Sequence, residues 1–249
     1  MRTHIYTPTH PTVAKKYPGL LLYPEIFQQT APIARLCVQL ASHGYVVMAP
    51  EIYHEHEPLG AVLAYDDVGK DKGNRYKHAT KLSTFDNDAK AVVGALRAHP
   101  ACSGRIGTVG FCIGGHLAVR AALLPEILAC ASFFPTDLHS GTLGEGKKAD
   151  TLARVREIKG ELVMIWGRQD PHIPAEGRAA VYKALSEAGV LFSWHELNAE
   201  HAFLRDEGPR YDARREGGHR AFSPATKSVM TALARTSGGS RPWPRMKSW

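Results

Sequence analysis

The chain is poor in cysteine, and the cysteines it has are not arranged to hold a metal or a disulfide framework. Its 249 residues contain four cysteines that lie far apart, with no Cys-x-x-Cys pair. Since 44% of the residues are hydrophobic, the chain can bury a continuous core without disulfides. This pattern excludes a zinc finger and a small disulfide-rich scaffold, and it favours a reducing cytoplasm. The four are Cys37, Cys102, Cys112 and Cys130.

Long apolar runs and a basic face are lacking as well. No run approaches the length of a membrane span, and the opening "MRTHIYTPTH" has no apolar core of signal-peptide length. The net charge is +7, but residues 212–249 carry +6 of it and residues 1–211 only +1. Because the positive charge belongs to a Gly/Ser/Pro-rich tail, the sequence predicts neither nucleic-acid binding nor membrane binding.

What the chain does have is an alternation of short apolar runs with segments of helical period. The runs lack polar alternation, which is typical of strands covered on both faces of a parallel sheet. We therefore expect an α/β fold, a doubly wound, mostly parallel sheet in a three-layer α/β/α arrangement. The predicted strands are 19–23, 45–49, 105–111, 127–134, 161–166 and, nearer an edge, 191–197. The predicted helices are 31–44, 85–100 (with Asp86 as its cap) and 175–189.

The remaining stretches are predicted as loops or as a tail. Residues 50–82 and 135–150 are polar and irregular, and long loops of α/β domains tend to carry function. Ser223 followed by Pro224 is a good helix start. We expect one α/β domain over residues 1–237 and a disordered basic tail over residues 238–249.

One corner of the predicted sheet carries a reactive side chain. Residues 109–116 read "VGFCIGGH", and Gly110-x-Cys112-x-Gly114 is the pattern of a nucleophile elbow with cysteine in place of serine. A sharp strand-to-helix turn needs small neighbours, and the N–H groups of the following helix would stabilise a thiolate and an oxyanion. The same pattern also fits a tight turn around a buried cysteine, since free cysteine is often simply buried.

Two later residues supply the proton chemistry that a nucleophile needs. Asp170 and His201 each lie just past the end of a predicted strand, in the chain order nucleophile, acid, base. Alone, Asp170 fits an Asp-Pro turn and His201 a solvated loop histidine. Together with Cys112 they predict a triad in which the base takes the thiol proton and the aspartate orients the imidazole.

Four motifs together resemble the dienelactone hydrolase family of α/β-hydrolases, over about residues 17 to 211. They are "YPEIF", "GFCIGGH", "GRQDPHIP" and "EHAFLRD". The resemblance implies a cysteine hydrolase that acts on an ester or lactone carbonyl without a metal or organic cofactor. It implies that Cys112 is the nucleophile, Asp170 the acid and His201 the base. It also implies that Glu25 is the acidic residue beside the thiol.

The resemblance further implies an oxyanion hole and an anion-binding arginine. The backbone N–H groups of Ile26 and Ile113 would form the hole. Arg205 matches the family arginine that binds the substrate carboxylate, a task that suits a guanidinium fork. The second such arginine lies in a loop that is shorter here, and Arg75 is the nearest candidate. Competing candidates in that loop are Lys70, Lys72 and Lys77.

The sequence thus predicts a cytoplasmic cysteine hydrolase of a lactone or small carboxylate-bearing ester, as a monomer or small homo-oligomer. Its partner is a small, anionic substrate, and no metal is expected. "HEHE" at 54–57 does not predict a metal site, because adjacent residues of an irregular loop do not converge on one ion. The alternatives are a broad small-ester or thioester hydrolase and a non-catalytic binding protein on the same fold.

Overall fold

A computed structural model of the chain describes residues 1–8 and 16–208. Seven strands of this part form one sheet in the order β1-β3-β2-β4-β5-β6-β7, in which β1 is antiparallel to β3 and every other pair is parallel. The strands are β1 (Thr3–Tyr6), β2 (Tyr17–Tyr23), β3 (Val46–Pro50), β4 (Cys102–Phe111), β5 (Ile127–Phe133), β6 (Glu161–Gly167) and β7 (Phe192–Leu197). The helices are α1 (Ala31–Ser42), α2 (Asp67–Ala79), α3 (Leu82–Ala98), α4 (Ile113–Ala121) and α5 (Ala175–Glu187).

The core lies on both faces of this sheet. Leu20, Leu21 and Leu22 of β2 are at most 1% exposed. Because successive strand residues point to opposite faces, complete burial of three in a row requires cover on both sides. The mostly parallel, three-layer α/β architecture predicted from the apolar runs is confirmed.

The parallel register brings the carboxyl ends of the central strands to one edge. Tyr23 at the end of β2 pairs with Gly110 of β4, and Phe111 pairs with Phe133 at the end of β5. The segments that leave β2, β4, β5, β6 and β7 therefore meet at this edge. In open α/β sheets this is where ligands bind.

The sequence prediction located six of the seven strands within a few residues and placed β7 correctly at the sheet edge. It missed β1, which has only four residues and an antiparallel partner. It was also wrong to treat all of residues 50–82 as irregular, because α2 lies there. Asp66 caps α2, its Oδ1 accepting from the Gly69 N–H at 2.7 Å.

Two glycines hid α2 from the helical pattern. A Cβ on Gly69 would overlap the carbonyl of Ala64, and a Cβ on Gly73 would lie 2.6 Å from the Ile26 carbonyl oxygen. These residues are glycines because the helix packs closely against its surroundings, not because the chain turns there. The expected cap of α3 is corrected too: α3 begins at Leu82, and Asp86 lies inside it.

No helix of the described residues is long and apolar enough to cross a membrane. The predicted helix that starts at Ser223-Pro224, the domain end at residue 237 and the tail over 238–249 lie outside the described residues.

Candidate active site

Cys112 stands at a sharp corner between β4 and α4. Its backbone has φ 59° and ψ −123°, a conformation that non-glycine residues adopt only under constraint. The flanking glycines allow the corner to close: a Cβ on Gly110 would overlap the Gly114 carbonyl, and a Cβ on Gly114 would overlap the carbonyls of Tyr23 and Pro24. The chain therefore cannot carry larger residues at these two positions without moving β4 or the end of β2 away from α4.

The corner places the sulfur at the amino end of α4. Ile113 is the first residue of the helix, so its N–H has no acceptor within the helix. This N–H belongs to the positive end of the helix dipole. Ile26 follows β2, the strand next to β4, and lines the same cavity as Cys112. The two residues predicted to supply an oxyanion hole thus follow neighbouring strands, Ile26 after β2 and Ile113 after the corner at the end of β4.

Asp170 and His201 form a short, buried pair. Asp170 follows β6 and His201 follows β7, and the Oδ2 atom of Asp170 accepts from Nδ1 of His201 at 2.6 Å. The other carboxylate oxygen of Asp170 accepts from the backbone N–H of His172 at 2.8 Å, which fixes the plane of the carboxylate. The ring of Phe134 packs edge-on against the imidazole, with 5.0 Å between centroids.

The imidazole of His201 interacts with the Cys112 thiol as well as with Asp170. Burial by itself would lower the pKa of His201, but the charge and hydrogen bonding of Cys112 and of Asp170 overcome it and raise that pKa to about 10. An imidazole that keeps its proton at neutral pH is the partner that a neighbouring thiolate requires. The three residues predicted as a triad are therefore brought together.

Glu25 is buried at the end of β2, close to the same centre. Burial raises the pKa of its carboxyl above the ordinary value, although Arg205, His201 and Tyr65 oppose the shift. Arg205 forms an ion pair with it, its Nη1 lying 3.7 Å from Oε2 of Glu25. The Tyr65 hydroxyl donates to the same oxygen at 3.5 Å. Burial thus favours the neutral form of the Glu25 carboxyl, and Arg205, His201 and Tyr65 favour the charged form.

These side chains open into one cavity of about 730 Å³. Glu25, Cys112 and His201 line it, while Asp170 lies behind His201 and is not part of the wall. Arg205 also lines it, with its guanidinium 4.2 Å from the centre of the Tyr65 ring. The cavity therefore combines a thiol, a base, a carboxyl and an arginine within reach of one small molecule.

A family model for the dienelactone hydrolase family matches residues 1–228 of the chain. The chain belongs to the dienelactone hydrolase family. It is 43% identical over 215 residues to a Saccharomyces cerevisiae protein provisionally named a carboxymethylenebutenolidase, covering 83% of this chain and 78% of the relative. It is 26% identical over 219 residues to the carboxymethylenebutenolidase of Pseudomonas sp., covering 88% and 82%.

The family's fold appears among solved structures as well. A Klebsiella pneumoniae protein, provisionally assigned as a dienelactone hydrolase, superposes with a TM-score of 0.73 at 20% identity. The match covers 90% of this chain and 92% of that one, and at this identity it supports the fold alone.

The second arginine expected from the family is not brought to the cavity. Arg75 is exposed on α2, with its guanidinium 5.7 Å from the Tyr76 ring centre. The cations of α2 that line the cavity are Lys70 and Lys77, two of the competing candidates. Because a helix presents different residues to different sides, the position nearest in sequence is not the one that faces the site.

The "HEHE" run diverges onto four separate partners. His54 pairs with Asp88 at 2.8 Å and His56 with the Thr80 hydroxyl at 2.9 Å. Glu55 accepts from Thr84 and Glu57 from Tyr76. These side chains tie the loop after β3 to α2 and α3, and no cluster suited to a metal is found in the described residues.

Among the residues of the cavity wall that sequence reasoning missed, three contact residues that it had named. Tyr65 stacks on Arg205, Thr136 lies beside the sulfur, and Asp137 pairs with Lys77 at 2.8 Å. Tyr65 is 140 residues away from Arg205 in the chain, and the Lys77–Asp137 pair spans 60 residues. No local sequence pattern predicts contacts between residues so far apart. The one signal available was that Thr136 and Asp137 follow β5 and therefore lie at the carboxyl edge of the sheet.

Proposed function

We propose that this family member is a cysteine-dependent hydrolase that cleaves a lactone or small carboxylate-bearing ester through Cys112, His201 and Asp170. The observation that carries the proposal is the 2.6 Å pair of His201 and Asp170 next to a thiol at a helix N-terminus. The names of the relatives, carboxymethylenebutenolidases in yeast and Pseudomonas, point to the same chemistry.

In the proposed reaction the Cys112 sulfur adds to the substrate carbonyl carbon, and the N–H groups of Ile26 and Ile113 hold the resulting oxyanion. Collapse breaks the ester C–O bond, and the leaving oxygen takes its proton from His201. A water then gives a proton to His201 and adds to the thioester carbon. Cleavage of the C–S bond releases the acid and restores the thiolate.

Arg205 is the proposed site for a substrate carboxylate. Its side chain is 12% exposed and lines the cavity, and Glu25 is the carboxylate that occupies its neighbourhood in the structure. A guanidinium can bind a carboxylate through two parallel hydrogen bonds, which gives both affinity and orientation.

A second candidate function is the hydrolysis of small neutral esters or thioesters. One observation favours it: the two lysines of the cavity wall already have carboxylate partners. Lys77 pairs with Asp137 at 2.8 Å and Lys70 with Asp67 at 2.6 Å. Their charges are therefore matched, which leaves less positive charge for an anionic substrate than the number of cations suggests.

The test is a panel of lactones, anionic esters and neutral aryl esters assayed with the wild type, Cys112→Ala and Cys102→Ala. Cys102 is a buried cysteine at the start of β4, at the end of the strand away from the corner, and serves as the matched control. We expect Cys112→Ala alone to abolish turnover while its thermal unfolding stays cooperative. Turnover that survives in Cys112→Ala refutes the nucleophile, and the substrate ranking separates the two candidate functions.

A further inference from the structure

Thr136 lies directly beside the Cys112 sulfur and has no part in the triad. It follows β5 in the segment that crosses the carboxyl edge of the sheet, and it lines the cavity. Its Oγ1 is 3.8 Å from the sulfur. Within residues 1–8 and 16–208, the sulfur is the one hydrogen-bond partner that the structure gives this hydroxyl.

The backbone of Thr136 is fixed on both sides. Its N–H donates to the Cys112 carbonyl at 3.3 Å. Its carbonyl accepts from Nδ1 of His116 at 3.2 Å, so that ring nitrogen carries a proton. Thr136 is therefore tied at one end to the nucleophile itself and at the other to the last residue of the "VGFCIGGH" motif. These two bonds hold the backbone of Thr136 against the corner that carries the sulfur.

His116 is in turn held inside a buried polar network. It is completely buried, and burial is the main reason that its pKa falls to about 4, so the ring is neutral at neutral pH. With the proton on Nδ1, Nε2 accepts from the Thr151 hydroxyl at 2.9 Å. The same hydroxyl oxygen accepts from Arg120 at 3.1 Å. One tautomer and one orientation of His116 satisfy all of these contacts.

We propose that the Thr136 hydroxyl donates a hydrogen bond to the Cys112 thiolate and that His116 is the positioning residue that holds Thr136 there. A thiolate can only accept, and a bond from a hydroxyl to a charged acceptor is stronger than one between neutral groups. The proposal rests on the proposed role of Cys112 as the nucleophile. It adds a group that stabilises the charged form of the sulfur besides His201 and the helix N-terminus.

Other titratable groups lie around the sulfur and must stay constant in a test. They come from the segments that follow β2, β3, β5, β6 and β7. They are Glu25, Tyr53, Tyr65, Lys77, Asp137, His139, Asp170, His172, His201 and Arg205. A change of Thr136 to valine, which has nearly the same shape, removes the hydroxyl and alters none of them.

The experiment measures alkylation of Cys112 by iodoacetamide as a function of pH, with the modified peptide quantified by mass spectrometry. We expect Thr136→Val to move the midpoint of the Cys112 profile up by about one pH unit and to slow alkylation about tenfold below it. Thr136→Ser should restore the wild-type profile. Thr108→Val is the control, because it removes another buried hydroxyl that donates to α4, at the Ala118 carbonyl.

A second variant tests the positioning role. We expect His116→Phe to shift the profile in the same direction as Thr136→Val, and to cause no further shift when Thr136 is already valine. A Thr136→Val profile that coincides with the wild type overturns the proposal, as does failure of serine to restore it. A shift by His116→Phe that is equally large in the wild type and in Thr136→Val overturns the role of His116. If His116→Phe does not fold, the two Thr136 variants still decide the role of the hydroxyl.

Alkylation needs no substrate, so the result is separate from the test of the hydrolase activity. Ester turnover in Cys112→Ala would refute the proposed function, whereas a wild-type alkylation profile in Thr136→Val would refute the hydrogen bond alone.

Discussion

Replacing Asp170 by asparagine tests the central pair of the site. The change keeps the side-chain volume, and one oxygen can still accept from the His172 N–H. It removes the negative charge that lies 2.6 Å from Nδ1 of the buried His201. A hydrogen bond to a charged group contributes about 1.5–3 kcal/mol. Its loss should therefore lower the pKa of His201, which stands at about 10, by about one to two units.

Activity should fall further than this shift suggests, because the NH₂ group of an asparagine can donate to Nδ1 of His201. The neutral imidazole then carries its proton on Nε2, which cannot act as the base. We expect kcat to drop about 10²- to 10⁴-fold. The alkaline limb of kcat/KM, where the imidazolium is lost, should move to lower pH. The assay is the hydrolysis of an aryl ester between pH 5 and 10, with a thermal melt to verify folding.

Asp71→Asn is the control, since Asp71 is an exposed carboxylate on α2. Turnover by Asp170→Asn within about threefold of the wild type, with an unmoved alkaline limb, would refute the argument. Asp170 would then be a turn residue that happens to touch a histidine.

Three further predictions concern packing, substrate charge and acid stability. A Cβ on Gly110 would overlap the carbonyl of the next turn, so Gly110→Ala should lower the unfolding free energy by at least ~2 kcal/mol in urea titrations. Gly94→Ala in α3, where nothing lies within 4 Å, should raise it by about 0.5–1 kcal/mol; equal effects would contradict this account. Arg205→Ala should raise KM at least about tenfold for an anionic ester but not for its neutral analogue, and Arg75→Ala should change neither; equal losses on both esters would exclude a carboxylate clamp. Burial lowers the pKa of His116 to about 4, so the unfolding free energy that its neutral ring contributes is fully present above pH 6.5. This free energy is lost as pH falls toward 4, because the unfolded chain takes up a proton that the folded chain does not. The wild type should therefore lose about 2–3 kcal/mol more than His116→Phe between pH 7 and 4.5 in denaturant titrations, and parallel losses would argue against a buried neutral ring.

The layers of the fold could be read from the sequence because burial on both faces leaves a plain signal. A run such as "GLLLY" has no polar alternation, and Leu20, Leu21 and Leu22 are all buried in β2. Helix α2 could not be read in the same way. Gly69 and Gly73 look like helix breakers, yet close packing against Ala64 and Ile26 requires them.

The candidate site could also be predicted only in part. Cys112, Asp170 and His201 could be proposed from the sequence, because each lies just past the end of a strand and parallel strands end at one edge. The side chains that surround them could not. Whether Arg75 or Lys77 faces the cavity depends on the rotation of α2, and one residue along a helix turns a side chain by about 100°.

Chain order and local chemistry by themselves therefore determined the strand-helix alternation, the corner at Cys112 and the chain order of the proposed nucleophile, acid and base. Tertiary structure alone decided which cation lines the cavity, that Glu25 is buried beside Arg205, and that Thr136 lies 3.8 Å from the sulfur. The physical reason is range. Hydrophobic period and turn chemistry act over a few residues, whereas contacts between the ends of different strands depend on how the whole sheet twists and packs.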